Sequence, residues 1–546
     1  MLCCVKRLWN DMAGDKTLNV KATGIIALAV MCSRILGLIR EVLFNALFGS
    51  AFMGIFLIAF RAPNLLRDLF AEGALSVSFI TVFSKKIETE GDKSAWQLAS
   101  KMLTLISVFM SILCILGIIF AKYIIFVLAP GFSAQDAEIT VFLSQLMFPF
   151  ILLVSLAAIV MGMLNSKNVF GMPALASSFF NIGSILGGAL FGWFIDPSFG
   201  ERALIGLAIG TVIGGLLQLV VQFPSLKKVG FCFKPNFRWR DSGVRTTLIL
   251  TIPAVIAASA VQINVLINSG FASYLGTEAV TWLNSAFRLM QFPLGVLGVA
   301  IATITLPVVS RLAATSNHSQ FGETLARAIR LAVFLTMPAA VGLWFFAKPI
   351  ISLIYEHGKF HASDSLQTAY ALQFYALGLV AYSCIKVLSP AFYAIDKKWT
   401  PMMVSFAAII LNIFLNYFLI FKLNMGHRGL ALSTTVSASV NFGILYVLMS
   451  RLYNLQNRYL FSTLFRCVLA SALLGFTCQF IFTYGVDFLD HPSFWIRAVS
   501  LAISISFAVL VYLTLCVVFR LDEAKSIVRI IRRRLGFPIE LKSKQV

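Results

Sequence analysis

Apolar runs long enough to cross a lipid bilayer recur along almost the whole chain, and this leaves few folds open. A spanning helix takes about 20 mostly apolar residues. Stretches of that kind separate at polar or Gly/Pro breaks near 24–49, 53–84, 97–128, 137–164, 171–195, 202–224, 244–275, 278–309, 323–355, 364–394, 400–422, 428–450, 460–485 and 494–520. Fourteen such stretches predict an all-α, polytopic membrane protein, because only helices and closed barrels satisfy their backbone hydrogen bonds inside lipid. A barrel strand alternates apolar and polar residues, whereas here 59% of 546 residues are hydrophobic and 12% charged, with 50 Phe. Soluble domains carry about twice that share of charge, which argues against a water-soluble enzyme.

Fourteen spans, an even number, place both termini on one side of the membrane, and Lys/Arg in the short loops says which. Basic residues collect in the N-terminus, at Lys85, Lys86 and Lys93, through 227–245, at Lys397 and Lys398, at Arg451 and Arg458, and in the tail from Lys525 to Lys544. The alternate loops around Gly49–Gly54 and Gly276–Glu278 carry none. Both termini are therefore expected in the cytoplasm. The same asymmetry accounts for the net charge of +21 without nucleic acid, since the cations recur beside apolar spans, as orientation and anionic lipid demand. The 227–245 loop, with Phe231, Phe233, Phe237 and Trp239 among its cations, is expected to lie on the lipid headgroups. No cleaved signal peptide is expected, because the first residues lack a short apolar stretch ending in a small-residue cleavage site. Nine scattered Cys without a CxxC predict neither a disulfide framework nor a metal site, and no cofactor is expected.

Weak self-similarity links the two halves. Gly206-Leu207-Ala208-Ile209-Gly210-Thr211 returns as Gly429-Leu430-Ala431-Leu432-Ser433-Thr434, Phe60-Arg61 as Phe287-Arg288, Ser84-Lys85 as Ser310-Arg311, and Pro173 as Pro401, all 223 to 228 residues apart. The order is conserved, which suggests duplicated six-helix halves around a cavity. The expected organisation is a cytoplasmic N-terminus (1–23), a six-helix bundle (24–224), a basic loop (225–243), a second six-helix bundle (244–450), two added helices (451–520) and a basic tail (521–546).

Charges inside the spans are costly and default to function. The first span carries Arg34, Arg40 and Glu41, the second Arg61, Arg67, Asp68 and Glu72, and the eighth Arg288. At 1.5 Å per residue Arg34 lies about 15 Å from its end of the span and Arg288 roughly 16 Å from the other face. Arg34 has Glu41 seven residues on along the same face, so ion pairing competes with a functional role there. Arg67 and Arg288 have no same-helix carboxylate at favourable spacing on a shared face. Arginine stays protonated and grips phosphate bidentately, so a cavity lined by Arg34, Arg40, Arg67 and Arg288 suits an anion such as a phosphate or diphosphate. Pro63 and Pro293 are expected to kink the two equivalent helices, and Gly183, Gly187, Gly188 and Gly192 predict close helix packing. The five His sit in or near loops.

These residues carry a resemblance. Ser33-Arg34-Ile35-Leu36-Gly37-Leu38-Ile39-Arg40-Glu41, Ala59-Phe60-Arg61-Ala62-Pro63-Asn64-Leu65-Leu66-Arg67 with Phe70-Ala71-Glu72-Gly73-Ala74, Phe287-Arg288-Leu289-Met290-Gln291-Phe292-Pro293, Tyr355-Glu356-His357-Gly358-Lys359-Phe360 and Phe392-Tyr393-Ala394 closely resemble the MurJ (MviN) family of lipid II flippases over about residues 24 to 450. The resemblance implies a MATE-like transporter whose two added helices form a groove for the lipid tail. It also implies movement of lipid-linked disaccharide-pentapeptide to the outer leaflet of the bacterial cytoplasmic membrane for peptidoglycan synthesis. The alternatives are export of another polyprenyl-diphosphate-linked glycan, or drug antiport. Headgroup-site residues carry over onto Ser33, Arg34, Arg40, Glu41, Arg67, Thr281, Arg288 and Gln291. Lipid II is the implied partner, with membrane lipids and the cell-wall synthesis machinery beside it. Relatives place a sodium ion on carboxylates in the second half. The matching positions here, Asn268, Asn412, Asn416 and Thr434, are neutral ion-site candidates. Gly54, Phe287, Gln291 and Asp68 are further departures.

Overall fold

The computed structural model describes residues 20–69, 75–315 and 317–525. The cations before Val20, the Phe70–Ala74 part of the second motif with Glu72, and the tail beyond Lys525 lie outside the described residues. Regular structure among the described residues is all helical, as apolar runs in lipid require.

The first helix, α1 (Val20–Leu66), has 47 residues, about 70 Å at full length and more than twice a bilayer core. It becomes two segments at Gly49, whose φ of 76° and ψ of 172° leave the helical region at no steric cost to a glycine. The chain continues through α2 (Leu75–Glu90), α3 (Asp92–Leu128), α4 (Ala134–Met147), α5 (Pro149–Ser166), α6 (Gly171–Ile195), α7 (Leu204–Val220), α8 (Phe223–Lys228), α9 (Ser242–Ser273) and α10 (Thr277–Pro293). It then runs through α11 (Val299–Ala314), α12 (His318–Phe345), α13 (Ala347–Tyr355), α14 (Ala362–Leu377), α15 (Leu379–Ala394), α16 (Trp399–Tyr417), α17 (Gly426–Leu452), α18 (Asn457–Tyr484), α19 (Val486–Leu489) and α20 (Phe494–Val518). Among the described residues eleven helices are long and apolar enough to span a membrane, or up to twelve if α14 and α15, bent by 45°, are one span. The expected fourteen is not recovered as a count. The first expected span and the start of the second fall in one apolar stretch, Leu28–Leu69, the described end of the second lies in α2, and the expected 244–275 span, present as α9 with Pro253 inside it, is not among the eleven.

The chain divides into two compact units. The first holds the described residues up to Phe44, Ile55–Val127 and Ala134–Ser259; the second holds Asn45–Gly54, Leu128–Ser133 and the described residues from Ala260 on. In the first unit α6 and α7 meet backbone to backbone. A Cβ added to Gly206 would stand 2.2 Å from the Gly192 nitrogen, one on Gly210 2.2 Å from the Gly188 nitrogen, and one on Gly183 2.8 Å from the Gly214 Cα. The expected close packing of the small-residue stripe is thus met by a second glycine row on α7, which lets the two backbones approach. Phe150, Val154, Ala158 and Phe180 form a small core beside this pair.

The second unit has a continuous core. Phe321, Leu325, Ile329 and Phe334 of α12 pack with Leu388 and Phe392 of α15, Leu445 and Met449 of α17, Cys467 and Leu474 of α18, and Tyr512 and Cys516 of α20. The added helices α18 and α20 are therefore built into this unit's core. An ion pair seals one end. Arg330 Nε donates to Glu523 Oε1 at 3.1 Å with both side chains buried, the Arg330 guanidinium stacks 4.4 Å over the Tyr459 ring, and the Tyr459 hydroxyl donates to Asp522.

Candidate substrate site

The first unit carries three of the four predicted arginines. On α1, Arg34 is exposed, Arg40 lies over the Phe180 ring of α6 at 5.0 Å, and Glu41 is buried. Ser33 takes part through its carbonyl, which accepts from the Asn181 side-chain amide at 3.1 Å and ties α1 to α6. Arg67 differs from expectation. Its Nε and Nη2 donate to Asp68 Oδ1 at 3.2 and 2.9 Å, and Asn64 donates to Asp68 Oδ2 at 3.3 Å, so Arg67 does have a carboxylate partner in its own segment. The reason is local. Residues 67–69 form a widened π turn four residues after Pro63, and regular helical spacing, which keeps adjacent side chains apart, fails there. The equivalent helix of the second unit repeats the device, since Pro293 ends α10 and a widened turn follows over Leu294–Gly298. A proline removes one ladder hydrogen bond, and a widened turn accommodates the freed backbone.

In the second unit Arg288 is half-buried on α10, one residue after Phe287, whose ring meets Tyr375 at 5.3 Å. Gln291 is exposed. Thr281 is fully buried and donates to the Ser50 carbonyl at 2.7 Å. That contact belongs to a cluster the sequence did not reveal. The 45–54 turn rests on α10 and α14. Ser50 Oγ donates to Asp364 Oδ1 at 2.6 Å, Trp282 Nε1 donates to the same oxygen at 2.8 Å, and the His361 amide donates to Asp364 Oδ2 at 3.0 Å. Lys359 N adds a bond to the Ala46 carbonyl at 2.8 Å. Asp364 is buried, and as the third residue of α14 it completes a capping box with His361. The departure at Gly54 has a steric cause, since a Cβ there would fall 1.8 Å from the Thr277 carbonyl oxygen.

The ion-site candidates form a closed network. Asn416 Nδ2 donates to Asn268 Oδ1 at 2.9 Å and to Asn412 Oδ1 at 3.2 Å, Asn412 Nδ2 donates to Ser433 Oγ at 3.4 Å, and Ser433 Oγ donates to Asn416 Oδ1. Thr434 Oγ1 turns away to the Leu430 carbonyl. Each amide oxygen accepts a hydrogen bond from within the cluster and no formal charge balances a cation, which disfavours a hard ion. Among the described residues no group of three His, Cys, Asp or Glu has metal-binding geometry.

A family model described as "Lipid II flippase MurJ" matches residues 44–499. The chain belongs to that family. It is 37% identical over 423 residues to the probable lipid II flippase MurJ of Buchnera aphidicola subsp. Acyrthosiphon pisum, covering 77% of this chain and 81% of the relative. It is 35% identical to the lipid II flippase MurJ of Burkholderia cenocepacia, covering 76% and 81%. Among solved structures, a lipid II flippase MurJ in an inward closed conformation superposes with a TM-score of 0.72 at 27% identity, covering 94% of this chain and 99% of that one. An inward-facing multidrug resistance MATE family transporter of the MOP superfamily superposes with a TM-score of 0.64 at 14% identity, covering 78% and 96%. The fold is thus shared between this family and the MATE exporters.

Proposed function

We propose that this protein is a lipid II flippase, moving the lipid-linked peptidoglycan precursor from the inner to the outer leaflet of the bacterial cytoplasmic membrane. The family match over residues 44–499 carries the reading, and the intramembrane arginines supply its chemistry. The residues proposed to bind the diphosphate and sugar headgroup are Arg34, Arg40, Arg67 and Arg288, with Ser33, Glu41, Thr281 and Gln291 as further candidates. Guanidinium groups suit this cargo because their fork matches phosphate oxygens and their charge does not titrate. The six-helix halves alternate access to the two leaflets, α18 and α20 guide the lipid tail, and both termini face the cytoplasm. The arrangement is that of a transporter. Its reading as an enzyme would need convergent acids for metal or general-base work, and two of the acids, Asp68 and Asp364, are engaged with Arg67 and with Ser50 and Trp282.

The test is lipid II exposure in the outer leaflet of cells that depend on this protein. Arg34→Ala, Arg67→Ala and Arg288→Ala should abolish flipping with the protein still inserted, and Lys replacements should restore it partly. Wild-type flipping by all three alanine variants refutes the site. Arg67→Ala is paired with Asp68→Asn, because its loss alone strands the Asp68 charge.

A further inference from the structure

Between α8 and α9 the chain runs as an irregular strap, residues 229–241. Its inner side is pinned to the first unit. Phe231 is buried with its ring 5.3 Å from Trp96, Asn236 N donates to Thr104 Oγ1 at 3.2 Å, and Lys101 Nζ donates to Asp241 Oδ2 at 2.6 Å. Its outer side has the opposite character. Phe233 and Phe237 are 48% and 66% exposed, Lys234, Arg238 and Arg240 of the strap are exposed, and so are Lys227 and Lys228 at the end of α8 and Arg245 in the first turn of α9. Asp241 is the one acid between Lys227 and Arg245, and it is already bound to Lys101 and to the Gly243 amide. None of the six cations forms a salt bridge among the described residues.

We infer that this strap is a docking surface for anionic phospholipid headgroups. Exposed phenylalanines between unpaired cations match the layered chemistry of a membrane surface, acyl chains below and phosphates above. Charge selects the occupant. A zwitterionic surface satisfies the aromatics alone, whereas anionic lipid also neutralises six cations that form no salt bridge among the described residues. The pins behind the strap fix it before any lipid arrives, so binding does not have to order the backbone. The inference needs only that the apolar stretch leading into the strap, Glu201–Lys228, crosses a bilayer, and it is independent of what the protein transports.

Cys232 lies in the strap and is exposed, which provides the probe. The full chain, with Cys232 as its sole cysteine, is labelled with an environment-sensitive fluorophore. It is then placed in nanodiscs of phosphatidylcholine alone or mixed with phosphatidylglycerol. Blue-shifted emission and quenching by headgroup-proximal spin-labelled lipid are expected in the anionic discs, weakening in 1 M salt, where screening reaches within about 3 Å. In competition, Lys234→Gln with Arg238→Gln and Arg240→Gln should lower the preference for phosphatidylglycerol by about 100-fold, roughly fivefold per cation. Arg238→Lys with Arg240→Lys keeps the charge and should keep the preference, separating charge loss from misfolding. Equal emission in both disc types, or an unchanged preference in the triple glutamine variant, overturns the inference.

Discussion

The Asp364 cluster makes the sharpest quantitative test of the second unit. Removing the carboxylate with Asp364→Ala strands three donors, the Ser50 hydroxyl, the Trp282 indole N–H and the His361 amide. A buried donor left without an acceptor costs about 1–3 kcal/mol, and loss of a capping residue a further 0.5–2 or so. Trp282 is half-buried, so water recovers part of its share, and a total of about 3–8 kcal/mol follows. Asp364→Asn keeps one acceptor oxygen and the shape but gives up the charge, which predicts a loss of about 1–2 kcal/mol. Ser50→Ala removes one donor and leaves an acceptor that still has Trp282, again about 1–2 kcal/mol. Combined with Asp364→Ala it should add almost nothing, because contacting residues are not additive. Thermal unfolding of the purified full chain in one fixed lipid–detergent mixture ranks the variants. A cysteine replacing Ala51 reports the turn, reacting faster with a thiol reagent when Asp364 is lost. If Ser50→Ala costs as much as Asp364→Ala, or if the double variant is additive, Asp364 is not the hub of the turn.

Three further predictions concern other groups. Because Arg330 and Glu523 are both buried, Arg330→Met or Glu523→Gln alone should each cost about 3–5 kcal/mol, and Arg330→Met with Glu523→Leu should recover most of it; equal melting of single and double variants contradicts this. At Asp241, burial pushes the carboxyl up, but hydrogen bonds from Lys101 and Gly243 and the nearby lysine charge outweigh it, leaving the group below its ordinary 3.8. The contact therefore contributes fully above the unfolded value and is lost as pH falls through the lower folded one. Hydrogen exchange at the Asn236 amide should accelerate only below about pH 4, and Asp241→Asn should remove that dependence. In the amide network, wild-type flipping should follow membrane potential or the substrate gradient and not sodium, whereas Asn416→Asp supplies the missing negative charge and should make activity respond to sodium. Loss of wild-type flipping on sodium removal alone, restored by adding it back, would reverse that assignment.

Much of the fold was legible because lipid simplifies the code. Apolar run length fixes helices, and the glycine stripe of α6 announced a close neighbour, although its partner row on α7 was read only as an internal echo. Interactions between distant residues were not legible. Ser50 and Asp364 stand 314 positions apart, and no periodicity links them. A partial signal existed in Asp364 three residues after His361, the spacing of a capping box. Arg330 was missed for a different reason. The depth argument that selected Arg34 applies to it less strongly, seven residues or about 10 Å into the run at 323–355, and its partner Glu523 lies beyond the last expected span. Arg67 shows the limit of ideal geometry, since a widened turn after a proline put an adjacent carboxylate within reach. At Gly54 an apparent loss of an acid is a steric requirement of the turn.

The glycine-to-glycine contact between α6 and α7 also bears on how the chain is made. Its two helices are neighbours in sequence, separated by Asp196–Ala203, so every group in that contact has emerged from the ribosome once residue 220 has. Nothing from the later half is needed to complete it. The pair can close as a hairpin while the second unit is still being translated, with its backbone polar groups already satisfied within each helix. A bulky residue at Gly206 or Gly210 would therefore act early, exposing an unpaired hairpin to membrane quality control before any transport could be measured.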